Sequence, residues 1–429
     1  MPAMTDADRA GEFIFDWNEL NRKGRLVPQR FTLFDETLRD GLQNPSVEDP
    51  PIEDKLRILH LMEDLGIDEA DIGLPGSSKR AFDDVLTMCK EVASCKMKVK
   101  IAAAGRTVVG DITPMIEVSQ RAGIPIEVYA FIGSSPIRQY VEQWDVSLIA
   151  KRSAEAIDVA VKAGLPVAFV TEDTTRSRPD ALTTLFRMAV DHGASRVCLS
   201  DTVGHATPDG VRNLVQFTRS VIAGTGANVG IDWHGHNDRG FALENAIWAL
   251  EFGADRVHAT ALGIGERVGN AQMELLLMNL RLLGQLGLRQ DAGASGAAPE
   301  RDLTKLVEYC ETVARAVHWQ VPLNYPLVGR DAFRTATGVH AAAIIKAMQK
   351  GDAWLADRVY SGVPAGMFGR HQEIGIGFMS GASNVNYWLR QRKIEPSEDL
   401  VAAILEAAKA TSHILRDEEV MAVVKRIRG

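Results

Sequence analysis

The sequence predicts a (β/α)8 barrel followed by a smaller, mainly helical C-terminal subdomain, and three observations carry the prediction. Short apolar segments alternate with helix-period stretches eight times between residues 31 and 290. Ala122-Gly123, Ala163-Gly164 and Phe252-Gly253 read as helix stops leading into the next segment. A doubly wound sheet would normally need fewer units and a glycine-rich phosphate loop after its first strand, and that loop is missing.

In order along the chain, strands are expected to begin near Phe31, Glu69, Val99, Ile126, Val167, Arg196, Gly230 and Arg256. Each is followed by a helix-period stretch, such as 54–65 or 243–252. Residues 1–30 read as an N-terminal extension and 31–290 as the barrel. The run 291–300 is small-residue-rich and unpatterned, which marks a boundary or surface loop. Residues 301–429 read as the helical subdomain, with dense patches at 324–340 and 360–370 and helices over the last 40 residues. No internal repeat beyond the barrel unit and no low-complexity tail is found.

Composition narrows the function classes. At 429 residues, 46% of them apolar, the chain can bury one large core and a smaller one. A net charge of -8 offers no basic footprint for nucleic acid or an anionic membrane. The cysteines Cys89, Cys95, Cys198 and Cys310 are too scattered in sequence for a zinc cluster and too few for a disulfide scaffold. With no apolar run of membrane-spanning length and with acids in the first 30 residues, the expectation is a cytoplasmic protein.

The chemistry is expected at the C-terminal ends of the barrel strands. Residues 31–43, Phe-Thr-Leu-Phe-Asp-Glu-Thr-Leu-Arg-Asp-Gly-Leu-Gln, end by presenting Arg39, Asp40 and Gln43 together. Residues 230–238, Gly-Ile-Asp-Trp-His-Gly-His-Asn-Asp, place His234 and His236 on one face, because strand side chains repeat with period two. Asp71, Glu172, Asp173, Asp201, Thr202 and Asn270 fall at other strand ends. One carboxylate and two imidazoles leave open positions on a divalent ion, a catalytic rather than a structural pattern. Such an ion polarises a ketone or carboxylate.

Plainer readings stand beside these. A His-x-His pair is often only hydrogen bonded, and Arg39 could simply pair with Asp40 at the surface. Glu172 could be a carboxylate satisfying helix N-terminal donors, and Asp173 is read that way. The run 263–269, Gly-Ile-Gly-Glu-Arg-Val-Gly, has the wrong spacing for a dinucleotide loop and reads as a tight loop closing over the site.

Three motifs, Asp-Glu-Thr-Leu-Arg-Asp-Gly-Leu-Gln, His-Gly-His-Asn-Asp and Gly-Ile-Gly-Glu-Arg-Val-Gly-Asn, resemble signatures of the DRE-TIM metallolyases. From about Phe31 to Trp388 the chain is most similar to the Claisen-condensing branch, which includes 2-isopropylmalate, homocitrate, citramalate and Re-citrate synthases. The resemblance implies that Asp40, His234 and His236 bind a divalent metal (Zn, Mn, Mg or Co), with Asn270 as a further ligand. It also implies that Thr202 binds a 2-oxoacid carboxylate, that Arg39 stabilises the oxyanion and that Glu172 lies on the acetyl-CoA side. Thr337-Gly-Val-His340 and the segment from Tyr360 resemble synthase motifs, so His340 and Tyr360 are the implied proton-transfer pair. Their plainer reading is a buried histidine and a core tyrosine.

Four residues depart from the branch pattern: Leu42 and Asp71 stand where most synthases carry Glu, and Tyr129 and Thr335 where many carry His. Gln43, Asp71, Tyr129, Thr202 and Gly265 are the expected substrate-binding residues. The resulting expectation is condensation of acetyl-CoA with a 2-oxoacid, first 3-methyl-2-oxobutanoate to give 2-isopropylmalate and CoA in leucine biosynthesis. The partners are these small molecules and a second copy of the chain, with active sites shared across a homodimer. The end at Gly429 leads us to expect little leucine feedback through a further domain. The alternatives are a synthase for another oxoacid, an acyl-CoA lyase of the 3-hydroxy-3-methylglutaryl-CoA type, and a non-catalytic metal-binding barrel.

Overall fold

Eight parallel strands close on themselves, β1 pairing with both β2 and β8. They are β1 (Thr32–Asp35), β2 (Glu69–Asp71), β3 (Lys100–Arg106), β4 (Glu127–Gly133), β5 (Val167–Glu172), β6 (Arg196–Asp201), β7 (Gly230–Gly235) and β8 (Arg256–Ala259). Each begins at or within one residue of its expected start. The computed structural model describes residues 6–18, 20, 31–283 and 301–429.

Helices such as Ile52–Asp64, Lys79–Cys95 and Ala242–Glu251 return the chain to the next strand. Their apolar stripes face the strands, as in Ile52–Asp64, where Ile58, Leu59, Leu61 and Met62 are fully buried. The predicted stops hold: Gly123 caps the helix Val109–Ala122 at φ +73°, a left-handed conformation that costs glycine least.

The barrel interior is layered. Phe34, Ala102, Ala104, Tyr129, Ala168 and Cys198 form one apolar cluster. Charged side chains that are also buried share the interior. Arg256 donates to Glu127, to the Tyr129 hydroxyl at 2.7 Å and to Thr32 Oγ1 at 3.1 Å, and lies 2.8 Å from Glu69. Arg196 Nε donates to Asp232 at 2.6 Å, and Asp232 accepts from the Tyr129 hydroxyl, also at 2.6 Å. Burial raises the Asp232 carboxyl, but Arg196 and Arg256 overcome it and hold the group far below the usual carboxylate range.

The described residues within Gly24–Gln320 form one compact unit, and Val321–Gly429 forms another together with the described residues before Lys23. The second unit therefore starts at 321 rather than the expected 301. The helix Leu306–Ala316 belongs with the barrel because its Tyr309, fully buried, donates its hydroxyl to Asp35 at the end of β1. Arg301 likewise donates to the Gly66 carbonyl and to Asp68. The expected boundary loop 291–300 lies outside the described residues.

In the second unit β9 (Arg334–Thr335) pairs in parallel with β10 (Glu373–Ile374). The predicted C-terminal helices are Ala382–Gln391, Glu398–Lys409 and Asp417–Arg428, packed around Val385, Leu389, Leu400 and Ile404. Among the described residues no helix is long and apolar enough to cross a membrane.

Candidate active site

After β1 a turn over residues 37–40 leads into a short 3-10 helix, Gly41–Gln43, and Glu36, Arg39 and Asp40, which precede that helix, gather over the strand ends. Arg39 is not a surface ion pair. Its guanidinium is gripped by three carboxylates, with Nε donating to Asp71 at 2.8 Å, Nη1 to Asp40 at 2.9 Å and Nη2 to Glu36. A planar fork can serve three acceptors at once, which an ammonium cannot do in the same geometry.

Opposite, β7 delivers His234 and His236. Both Nε2 atoms face Asp40 Oδ2, at 3.9 and 3.5 Å. Donors about 2.1 Å from one ion stand roughly 3.0–3.4 Å apart, and the three ligand atoms, all within 4.8 Å of one another, would close in to share one. Burial lowers His236 to about 4 against the pull of Asp40, which leaves it neutral at neutral pH, the form in which an imidazole can ligate a metal. Burial raises Asp40, but Arg39, His236 and His234 outweigh it and keep the group a carboxylate.

His234 Nδ1 is 2.6 Å from Glu36 Oε2, a hydrogen-bond length that leaves no space for an ion between them. Glu36 is therefore the orienting partner that turns His234 Nε2 toward Asp40. Asn270 Nδ2 donates to Asp40 Oδ2 at 2.6 Å, while its Oδ1 is buried without a partner. The oxygen and nitrogen donor set, with this orphaned oxygen beside it, fits a divalent cation.

These groups surround a cavity of about 180 Å³ at the barrel mouth. Glu36, Arg39, Asp40, Gln43, Glu172, Thr202, His234, His236, His258 and Glu266 line its polar side, and Leu74, Ala104, Phe131 and Val170 its apolar side.

Residues 30–313 match the HMGL-like family. The chain belongs to this family. Among curated proteins it is 32% identical over 417 residues to a homocitrate synthase of Methanothermobacter thermautotrophicus, covering 95% of this chain and 97% of that one. It is 30% identical over 384 residues to a probable 2-isopropylmalate synthase of Methanopyrus kandleri, covering 89% and 70%. Among solved structures, the HMG-CoA lyase of Bacillus subtilis superimposes with a TM-score of 0.55 at 22% identity, over 67% of this chain and 94% of that one, which shows the common barrel.

Not every expected residue of this HMGL-like barrel sits where sequence placed it. Asp71 is fully buried and does not line the cavity; it holds Arg39, and burial pushes its carboxyl up to about 6 against that arginine. Tyr129 lends its ring to the cavity, but its hydroxyl is committed to Asp232 and Arg256. Gly265 does not line the cavity either. Its backbone is packed against Asn270, where an added Cβ would come within 2.7 Å of Nδ2, and the loop residue that reaches the cavity is Glu266.

Thr202 lines the cavity and its Oγ1 accepts from the Asp173 amide at 2.8 Å. Asp173 does not serve as a helix cap. Its carboxylate takes a bidentate grip on Arg176, both bonds at 2.7 Å. Asp201 ties its own loop, accepting from Thr175 and from the His205 and Ala206 amides. Glu172 reaches the cavity 3.6 Å from Arg138, and burial raises its carboxyl despite that arginine. The run 263–269 is the tight loop expected: Arg267 spans from it to Asp238, at 2.8 and 3.0 Å, and to the Thr202 carbonyl at 2.6 Å.

Sequence reasoning missed Glu36 as an orienting residue and passed over His258 and Glu266. His258 stacks on Phe34 with ring centroids 4.3 Å apart and lies 3.4 Å from Glu36 and 3.7 Å from Asp232. Burial lowers its pKa, but the two carboxylates more than compensate, so it is held above the usual value. The signal was available, because Arg256 and His258 share the inward face of an otherwise apolar strand.

In the second unit His340 and Tyr360 are stacked, with ring centroids 4.2 Å apart and planes 29° from parallel. Neither is buried: Tyr360 is 47% exposed and His340 is exposed as well.

Proposed function

We propose that the protein joins the methyl carbon of acetyl-CoA to the ketone carbon of a 2-oxoacid and then hydrolyses the thioester, releasing a 2-substituted malate and CoA. The observation that carries the reading is the single cavity in which Arg39, Asp40, His234 and His236 converge with Thr202 and Glu172. The relatives support it, since a homocitrate synthase and a probable 2-isopropylmalate synthase form this kind of product.

Asp40, His234 and His236, with Asn270 beside them, would hold a divalent cation, which when bound supplies Lewis-acid polarisation of the oxoacid's keto and carboxylate oxygens. The Thr202 hydroxyl takes part in holding the carboxylate. Arg39, immobilised by Glu36, Asp40 and Asp71, presents a fixed positive charge to the negative charge that develops on the keto oxygen. Glu172 lies on the acetyl-CoA side, where burial holds its carboxyl above the usual range despite Arg138. His340 and Tyr360 are the proposed proton-transfer pair for the acetyl methyl group.

For the acceptor we propose 3-methyl-2-oxobutanoate, giving 2-isopropylmalate. Leu74, Ala104, Phe131 and Val170 form an apolar wall suited to a branched alkyl group. Among the described residues the only arginine lining the cavity is Arg39, already shared among three carboxylates, which disfavours a second carboxylate on the acceptor.

The test is CoA release, followed with a thiol reagent, from acetyl-CoA and each of pyruvate, 3-methyl-2-oxobutanoate, oxaloacetate and 2-oxoglutarate. Release that requires 3-methyl-2-oxobutanoate supports the full proposal. Release with another acceptor corrects the substrate alone. CoA release independent of any oxoacid, or none with the whole panel, overturns the reaction.

A further inference from the structure

On the outside of the barrel, away from the catalytic cavity, three side chains of different chemistry converge. His60 lies on the helix Ile52–Asp64, and Glu91 and Cys95 lie one turn apart on the helix Lys79–Cys95. Glu91 Oε1 is the meeting point, 2.8 Å from His60 Nε2 and 3.4 Å from the Cys95 thiol, which donates to it. One donor atom from each of the three lies within 4.8 Å of the others. His60 and Glu91 keep 38% and 30% of their side-chain surface, and Cys95 is exposed, so an ion could enter from solvent.

We infer that His60, Glu91 and Cys95 form a second, peripheral metal site that takes a borderline-soft ion of the zinc class. The donor set is one nitrogen, one oxygen and one sulfur. Three protein ligands with the fourth position open to water is a familiar tetrahedral arrangement for such an ion. Thiolate selects Zn, Co or Cd over the hard ions Mg and Mn, whereas the Asp40, His234 and His236 set has no sulfur and makes no such selection. On binding, the Cys95 S–H bond breaks, the thiolate electron pair goes to the ion and one proton leaves to solvent. His60 binds as the neutral imidazole and Glu91 as the carboxylate. The two hydrogen bonds that now converge on Glu91 are replaced by ligand bonds, and the ion ties two neighbouring outer helices together.

The other cysteines, Cys89, Cys198 and Cys310, are buried, so a thiol reagent applied to the folded chain reads Cys95. The experiment titrates the magnesium-loaded full chain with cobalt. A near-ultraviolet thiolate-to-cobalt charge-transfer band is expected. It should be absent in Cys95→Ser, and the affinity read from it should fall at least about tenfold in His60→Ala and in Glu91→Gln. Zinc should slow modification of Cys95 by the thiol reagent and raise the thermal midpoint more in wild type than in Cys95→Ser, which keeps only the catalytic site. All three residues are at the surface, so these variants should fold, which circular dichroism checks. No band in wild type overturns the site, as does a band that survives Cys95→Ser or an affinity unchanged by both His60→Ala and Glu91→Gln. Since the readouts are thiolate absorption and reactivity, the result does not depend on which acceptor the enzyme uses.

Discussion

Glu36 Oε2 stands 2.6 Å from His234 Nδ1, both groups buried, and so decides which imidazole nitrogen looks into the cavity. Replacing the carboxylate by an amide removes a charge-assisted bond and loosens the ring. Glu36→Gln is expected to weaken divalent-metal binding by about 10–100-fold, with activity partly restored by excess metal. Metal titration followed by calorimetry checks it, and an unchanged affinity would refute the orienting role.

Chelation should abolish turnover while leaving the far-ultraviolet circular dichroism intact, because the eight strands close through their own hydrogen bonds. Return of Mg, Mn, Co or Zn should restore activity in wild type but not in Asp40→Ala or His236→Ala. Either variant recovering normal rates would remove those residues from the ligand set.

Arg39→Lys keeps the charge and loses the fork. One ammonium cannot serve Glu36, Asp40 and Asp71 in the observed geometry, so the keto oxygen would face a misplaced cation. A loss of roughly 10²–10³ in kcat is expected, with a smaller change in KM. Steady-state kinetics at saturating metal decides it.

Asp35 is buried, its pKa pushed up to about 6 by burial against the Thr37 and Tyr309 hydrogen bonds. In the unfolded chain it titrates near 3.8. Between these values the folded state keeps a proton that the unfolded state has lost, so its contribution to stability falls as pH rises through this window and then levels off. Full ionisation costs at most about 3 kcal/mol. Asp35→Asn should remove this part of the slope and gain on wild type as pH passes from about 4 to above 6. Denaturant unfolding at several pH values measures it; a constant difference between the two proteins would count against the assignment.

Asp40→Ala and His340→Ala should each be inactive alone. If the protein works as a homodimer with sites shared between copies, co-expression of the two should restore roughly a quarter of wild-type sites, since about half the dimers are mixed and one site in each is whole. Demonstrated heterodimers without activity would show that each copy uses its own His340.

The barrel was legible because strand and helix periods alternate and glycines punctuate them. Arg39, Asp40, His234 and His236 were legible because charged residues ending apolar strands have few other reasons to be there. Glu36 escaped because it lies inside a motif whose neighbours drew the chemical reading, and its role depends on a contact 198 positions away in sequence. The domain boundary escaped for a related reason. The helix Leu306–Ala316 has an apolar stripe that would suit either core, and contacts such as Tyr309 with Asp35 and Thr37 and Glu308 with Arg57 show which one it joins. For Asp71 the strand-end position was right, but its buried carboxylate turns to Arg39, and Gly265 lies in the expected loop but is packed against Asn270 and off the cavity.

The buried charges beneath the cavity also limit how the protein could be retuned. Leu74, Phe131 and Val170 contribute only apolar surface to the cavity wall and are partly buried, so each can be resized at less cost to the core than Ala104, which is packed within it. Tyr129 touches the same cavity, yet its hydroxyl is shared by Asp232 and Arg256, and Arg256 in turn meets Glu69 and Glu127. A library that varies Tyr129 alone would strand buried charges and lose folded protein before it sampled new acceptors. A library that holds Tyr129 and varies Leu74, Phe131 and Val170 would explore acceptor size on an intact scaffold.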